Sequence, residues 1–246
     1  MIKVITIITK FIVVTLITLL FSSCHHVFSL GEGIRGSGKI TTENRSINQD
    51  FKSIEVSSGI KVVVEQTDNK SITVEADENL QKHIITKIEN GVLKIDSDES
   101  YNVSTTPIVN VKMPFIAGLS ATSGSEIISY KTLMTEKIDV KSSSGSKIKI
   151  DIEADNITLE SSSGSNIEAS GKALKLETSS ASGSEIKANK LMANEVISQS
   201  NSGSNTTVYP IVKLEAKASS GSSIGYYKNP KNILKEENSG GSVEQK

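Results

Sequence analysis

Gly221-Ser222-Ser223-Ile224-Gly225 carries the spacing G-x-S-x-G. In hydrolases with that spacing, a serine on a strand-to-helix turn attacks an acyl carbon, helped by a histidine that follows it in the chain. The three histidines here are His25, His26 and His83, and none follows Ser223. Gly31-Glu32-Gly33-Ile34-Arg35-Gly36 matches G-x-G-x-x-G. A dinucleotide site needs a strand before that run and a helix after it, and the surrounding residues offer neither. Asp151 with Glu153, and Asp98 with Glu99, are close carboxylate pairs. Glycosidic cleavage uses two carboxylates, but scattered charges on a repetitive surface read as solvation. Cys24, His25 and His26 are adjacent and of metal-ligating types. Tyr226 and Tyr227 stand beside Lys228-Asn229-Pro230. They are candidate ligand contacts, because exposed tyrosines anchor interfaces, or a plug over the last apolar layer. These runs give no catalytic assignment and no cofactor.

The N-terminus accounts for Cys24. Lys3 and Lys10 flank or precede an apolar run from Phe11 to Phe21, broken only by Thr15 and Thr18. Ser22, Ser23 and the sole cysteine follow. The order resembles a bacterial lipoprotein signal, which implies cleavage before Cys24 and a diacylglycerol on its thiol. The plainer alternative is an ordinary signal peptide with an incidental cysteine. A lipid-linked sulfur is no thiolate ligand, so no metal is expected. Residues 1–23 are therefore set aside as a targeting segment, and residues 24–38 read as a Gly-rich tether. One cysteine excludes an intrachain disulfide framework. A net charge of -1 gives no electrostatic case for nucleic acid.

The elements that position these residues follow from a repeat. Ser-Gly-Ser recurs at Gly124, Gly145, Gly164, Gly183, Gly203 and Gly221, at spacings of 21, 19, 19, 20 and 18 residues. The third residue after each glycine is Ile127, Ile148, Ile167, Ile186, Thr206 or Ile224. Between the glycines, Ile148, Ile150 and Ile152 alternate with Lys147, Lys149 and Asp151. Leu174 and Leu176 alternate with Lys175 and Glu177. Period two marks half-buried strands. A flexible Gly/Ser linker would not hold an isoleucine at fixed distance. The pattern predicts an all-β chain: a parallel β-helix or solenoid with coils of about 19 residues, each glycine supplying backbone angles closed to other residues at a corner. A degenerate copy at Ser239-Gly240-Gly241-Ser242 is expected to carry no strand after it, and residues 229–246 read as a polar tail.

Residues 39–115 differ. IEVSSGIKVVVEQ (54–66), SITVEAD (71–77), GVLKIDSD (91–98) and IVNVKM (108–113) are strand-like. NLQKHIITKI (79–88) suggests a short helix. This N-terminal half is expected to continue into, or to cap, the solenoid repeats of residues 116–228; a cap matters because an open parallel edge invites association.

The lipoprotein-like signal, FKSIEVSSGIKVVVEQ, the VEAD and GVLKI runs, the VKMP strand and the Ser-Gly-Ser coils together resemble the auto-transporter adhesin head (GIN) domain family, over about residues 50–228. The resemblance implies a β-helical fold and a cell-envelope location, common in Bacteroidetes, and supplies no catalytic residues. The expected function is non-catalytic: a lipid-anchored outer-membrane protein that adheres or binds a polymer such as a glycan. The alternative is a periplasmic structural or signalling module that binds an envelope protein; less favoured is a carbohydrate-active β-helix enzyme. The expected membrane contact is the lipid at Cys24.

Overall fold

The computed structural model describes residues 33–246. The targeting segment, Cys24, His25, His26 and the first part of the tether lie outside the described residues.

Alternating Ile and Lys or Glu over the repeats makes long strands. Lys147–Ser161, Asn166–Ser180, Glu185–Ser200 and Asn205–Ser219 run parallel, each beside the next. Inward residues stack in register: Ile148 on Ile167, Ile167 on Ile186, Ile157 on Leu176 and Leu176 on Val196. All are buried and belong to one continuous core. The fold is the expected β-solenoid, with about 7 turns and coils of about 19 residues. No single strand covers its own apolar face, so each coil depends on its neighbours.

Every Ser-Gly corner has one geometry. Ser144 has φ 52° and Gly145 φ 71°, and the amide of Ser146 closes the turn onto the Ser143 carbonyl at 3.2 Å. Both central residues are thus left-handed, as in a primed type I turn. The serine shares the left-handed conformation that sequence reasoning gave to the glycine alone. The turns also bond to one another: the amides of Gly145, Gly164 and Gly183 donate to the carbonyls of Ser163, Ser182 and Ser202, each at 3.1 Å. A Cβ added at Gly164 would meet nothing within 4 Å, so only its φ of +70° requires glycine. Gly164→Ala is therefore expected to cost about 1–2 kcal/mol, read as a lowered denaturant midpoint with an unchanged slope.

The serine after each glycine points inward. Ser146, Ser165, Ser184, Ser204 and Ser222 are 2 % exposed. Ser165 Oγ donates to the Ser142 carbonyl of the preceding coil at 2.7 Å and accepts from the Ser162 amide at 3.1 Å. It also lies 2.9 Å from Ser161 Oγ. A hydrogen-bonded polar column therefore lines one edge of the apolar core.

Chain order and spatial order part in the first half. Val92–Ser97 and Ile108–Met113 form the first coil. Ser53–Val56 and Lys61–Gln66 pair onto it in parallel as the second. Gly118–Ala121 and Glu126–Ser129 then pair onto those as the third. Beyond the first coil the pairing turns antiparallel. Ile84–Glu89 lies on Val92–Ser97, Ser71–Asp77 on Ile108–Met113, and Ile40–Arg45 on Ser71–Asp77. These strands are the expected cap.

Four readings are corrected. Residues 79–88 hold only a 3-10 turn, Gln81–His83, before the strand Ile84–Glu89; the β-branched run Ile84-Ile85-Thr86 favours strand. Leu174 is exposed where Leu176 is buried, because it sits at a second corner of the coil. Residues 229–246 are not merely a tail: Asn232–Asn238 and Ser242–Gln245 add one more coil around the Ser239-Gly240 turn. Residues 34–38, read as tether, are docked. Ile34–Arg35 pairs with Tyr101–Asn102, Gly38 N–H donates to Asp77 Oδ1, and Ser37 N–H to Asn79 Oδ1 at 2.9 Å.

Candidate functional site: the second corner

The long strands bend a second time, about midway between Ser-Gly corners. Ala154, Ala173, Ala193 and Pro210 follow one another in register there. Small side chains and a proline fit a bend that has little room inside. Just outside them stand apolar side chains that face solvent: Met134 is 65 % exposed, Leu174 55 % and Met192 40 %. With Ile211 they line an open groove of about 480 Å³ that crosses several coils. Its polar margin includes Asp155, Asn194, and Lys172 paired with Glu153 at 3.3 Å. The groove is a cluster of exposed apolar groups with polar groups at hand, the composition of a binding surface.

Elsewhere on the lateral faces, several charges pair between coils. Lys61 pairs with Glu126 at 3.3 Å, Lys141 with Glu160 at 3.0 Å, and Lys149 with Glu168 at 3.6 Å. Each pair joins residues in register on adjacent coils. On the cap, hydrogen bonds from Lys87 and then Lys94 hold the pKa of the half-buried Glu89 carboxyl down to about 2. At the corner beside the cap, burial pushes the Tyr101 hydroxyl above its ordinary value, and that hydroxyl donates to the Ser58 carbonyl.

The residues singled out for chemistry are held apart. Ser223 Oγ donates to Asn205 Oδ1 at 2.8 Å in the last coils. His83 Nδ1 lies 2.9 Å from Asp98 Oδ1 at the capped end. Glu153 is paired with Lys172, while Asp151 accepts from Thr132 Oγ1 at 3.2 Å. Gly36 packs where a Cβ would come within 2.5 Å of the Asp77 carboxylate. The next element is the strand Ile40–Arg45 rather than a helix, so the frame of a dinucleotide loop is lacking. Tyr226 is 5 % exposed, its ring beneath Lys235 Nζ at 4.7 Å, whereas Tyr227 is 45 % exposed. Gly124, Gly145, Gly164, Gly183, Gly203 and Gly221 all lie in the turns at positive φ. Among the described residues, no three His, Cys, Asp or Glu side chains gather as a metal site would need.

The groove went unread in the sequence, although it left a signal. Leu133-Met134, Ala173-Leu174, Leu191-Met192 and Ile211-Val212 are adjacent apolar pairs inside strands of period two. In such a strand one member of each pair must face outward.

A family model described as "Putative auto-transporter adhesin, head GIN domain" matches residues 50–230. A solved putative adhesin from Bacteroides fragilis is 18% identical, with a TM-score of 0.81, over 87% of this chain and 100% of that one. A putative adhesin from Parabacteroides merdae is 19% identical, with a TM-score of 0.72, over 87% of this chain and 98% of that one. A putative lipid binding protein from Parabacteroides distasonis is 22% identical, with a TM-score of 0.72, over 87% and 99%. At these identities the likeness is one of fold. No curated protein matches the chain.

Proposed function

The chain belongs to the auto-transporter adhesin head GIN domain family, and from that premise we propose that it is a non-catalytic envelope protein, lipid-anchored at Cys24 in the outer membrane, that binds an extended polymer such as a glycan along its second corner. The family and the adhesin neighbours support an adhesion-like role at the cell envelope or surface. The groove of Met134, Leu174, Met192 and Ile211 carries the finer reading. It is open and runs across coils about 4.8 Å apart, so it suits a chain laid lengthwise rather than an enclosed small molecule. Its apolar floor matches the C–H faces of sugar rings, and its polar margin matches their hydroxyls.

The test is a binding screen of the purified protein against envelope and host polysaccharides. Leu174→Asp with Met192→Asp is expected to weaken binding at least tenfold with little change in thermal stability, since both side chains already face water. Binding that survives both substitutions rejects the groove. Protease shaving of intact cells locates the molecule: loss of the chain supports a surface adhesin, and full protection supports the second reading. That second reading is a periplasmic module for a protein partner. It is favoured by one feature, the lack of acidic residues directly after Cys24, where the sequence reads His-His-Val-Phe-Ser-Leu.

A further inference from the structure

The last coil places charged residues in register with inward, uncharged positions of the coil before it. Ile233, Lys235 and Glu237 lie in register with Leu214, Ala216 and Ala218, whose side chains are buried in the coil before. Lys235 and Glu237 therefore point along the core direction. Both are exposed, with no further coil over them among the described residues. Both bend across the open end to the other face. Lys235 Nζ donates to the Val243 carbonyl at 3.0 Å, and the Val243 amide donates to Glu237 Oε1 at 2.6 Å. The stem of Lys235 also brings its ammonium over the Tyr226 ring. One pair of side chains thus occupies both backbone hydrogen-bonding groups of Val243.

We propose that Lys235 and Glu237 form an end seal that prevents a second copy of this chain from stacking on the last coil. A parallel edge is a template for added strands, and inward charges are one way to blunt it. Another coil placed here would have to bury an ammonium and a carboxylate, or strip them from Val243; burial of such charges is strongly unfavourable. Self-pairing of Asn232–Asn238 about Lys235 would oppose the two lysines and set Ile233 against Glu237, so the charges disfavour that arrangement as well. The antiparallel strands at the other end leave no coil there to continue. Binding is thereby directed to the lateral surface, and the solenoid does not grow into a filament.

Sedimentation velocity of the full processed chain, with all samples in the same detergent, tests the seal. Wild type and the swapped pair Lys235→Glu/Glu237→Lys are expected to sediment as one species over a hundredfold concentration range. Lys235→Val/Glu237→Val is expected to form concentration-dependent dimers or larger species. If the valine pair does not fold, Lys235→Met/Glu237→Gln is read instead, because it keeps the stem over Tyr226 and an acceptor for Val243. Variants that keep their β-sheet signal and sediment like wild type overturn the proposal. A wild-type chain that itself associates overturns it too.

Discussion

Gly171→Ala is expected to destabilise the protein by about 3–5 kcal/mol, the range of the most severe single substitutions. Gly171 has φ +118°, and a Cβ there would lie 2.0 Å from the Ile152 carbonyl oxygen and 2.8 Å from its carbon. Ile152 is the register partner of Gly171 on the preceding coil. Relief would need the two strands to part, and that would break the ladder on which the buried Ile152 depends. The contrast with Gly164→Ala isolates the cause. Both glycines have positive φ, but only Gly171 also touches backbone. An unfolding free energy within about 1 kcal/mol of wild type would mean that the coils separate more easily than a continuous core allows.

Ser204→Val is expected to cost about 2–4 kcal/mol, despite the gain of apolar surface in a buried position. Ser204 Oγ lies 2.8 Å from Ser200 Oγ and 3.0 Å from Ser180 Oγ, with the carbonyls of Asn201 and Ser180 at 2.7 Å and 2.9 Å. Valine is close in size, but it leaves those hydroxyls and carbonyls short of partners in a buried place, at about 1–3 kcal/mol for each group left unsatisfied. The solvent-facing control is Ser223→Val, which loses a contact to Asn205 only and is expected to stay within about 0.5 kcal/mol. Equal effects at Ser204 and Ser223 would show that the inner column contributes no more than surface serines.

The repeat was legible because its physics is local. A glycine with fixed neighbours marks each corner, and period two marks each strand. Even the irregular spacings carry meaning: the 20 residues from Gly183 to Gly203 include an added residue, seen as the register shift after Glu168 in its pairing with Lys187. The left-handed serine was not legible, since serine has no special preference for φ near 52° and is held there by the turn ladder. Nor was the docking of residues 34–38, which depends on Asp77 and Asn79, about 40 positions away. Lys235 and Glu237 fall within the span read as a polar tail, and only the register with Ala216 and Ala218 assigns them to inward positions. The groove was hidden by the assumption that Leu174 keeps step with Leu176. The corner between them resets the alternation.

The interleaved first coils constrain the order in which the molecule can assemble. Ile54 pairs with Leu93 on one side and Leu119 on the other, 39 and 65 residues further along the chain. Its coil therefore stays unpaired on one edge until Leu93 has been made and on the other until Leu119 has been made. Closing those long loops carries the entropic barrier. After that, each repeat finds its template about 19 residues behind it and zips onto a finished edge. Folding should thus be slow up to about residue 129 and rapid afterwards, advancing in the direction of synthesis to the coil that carries Lys235 and Glu237.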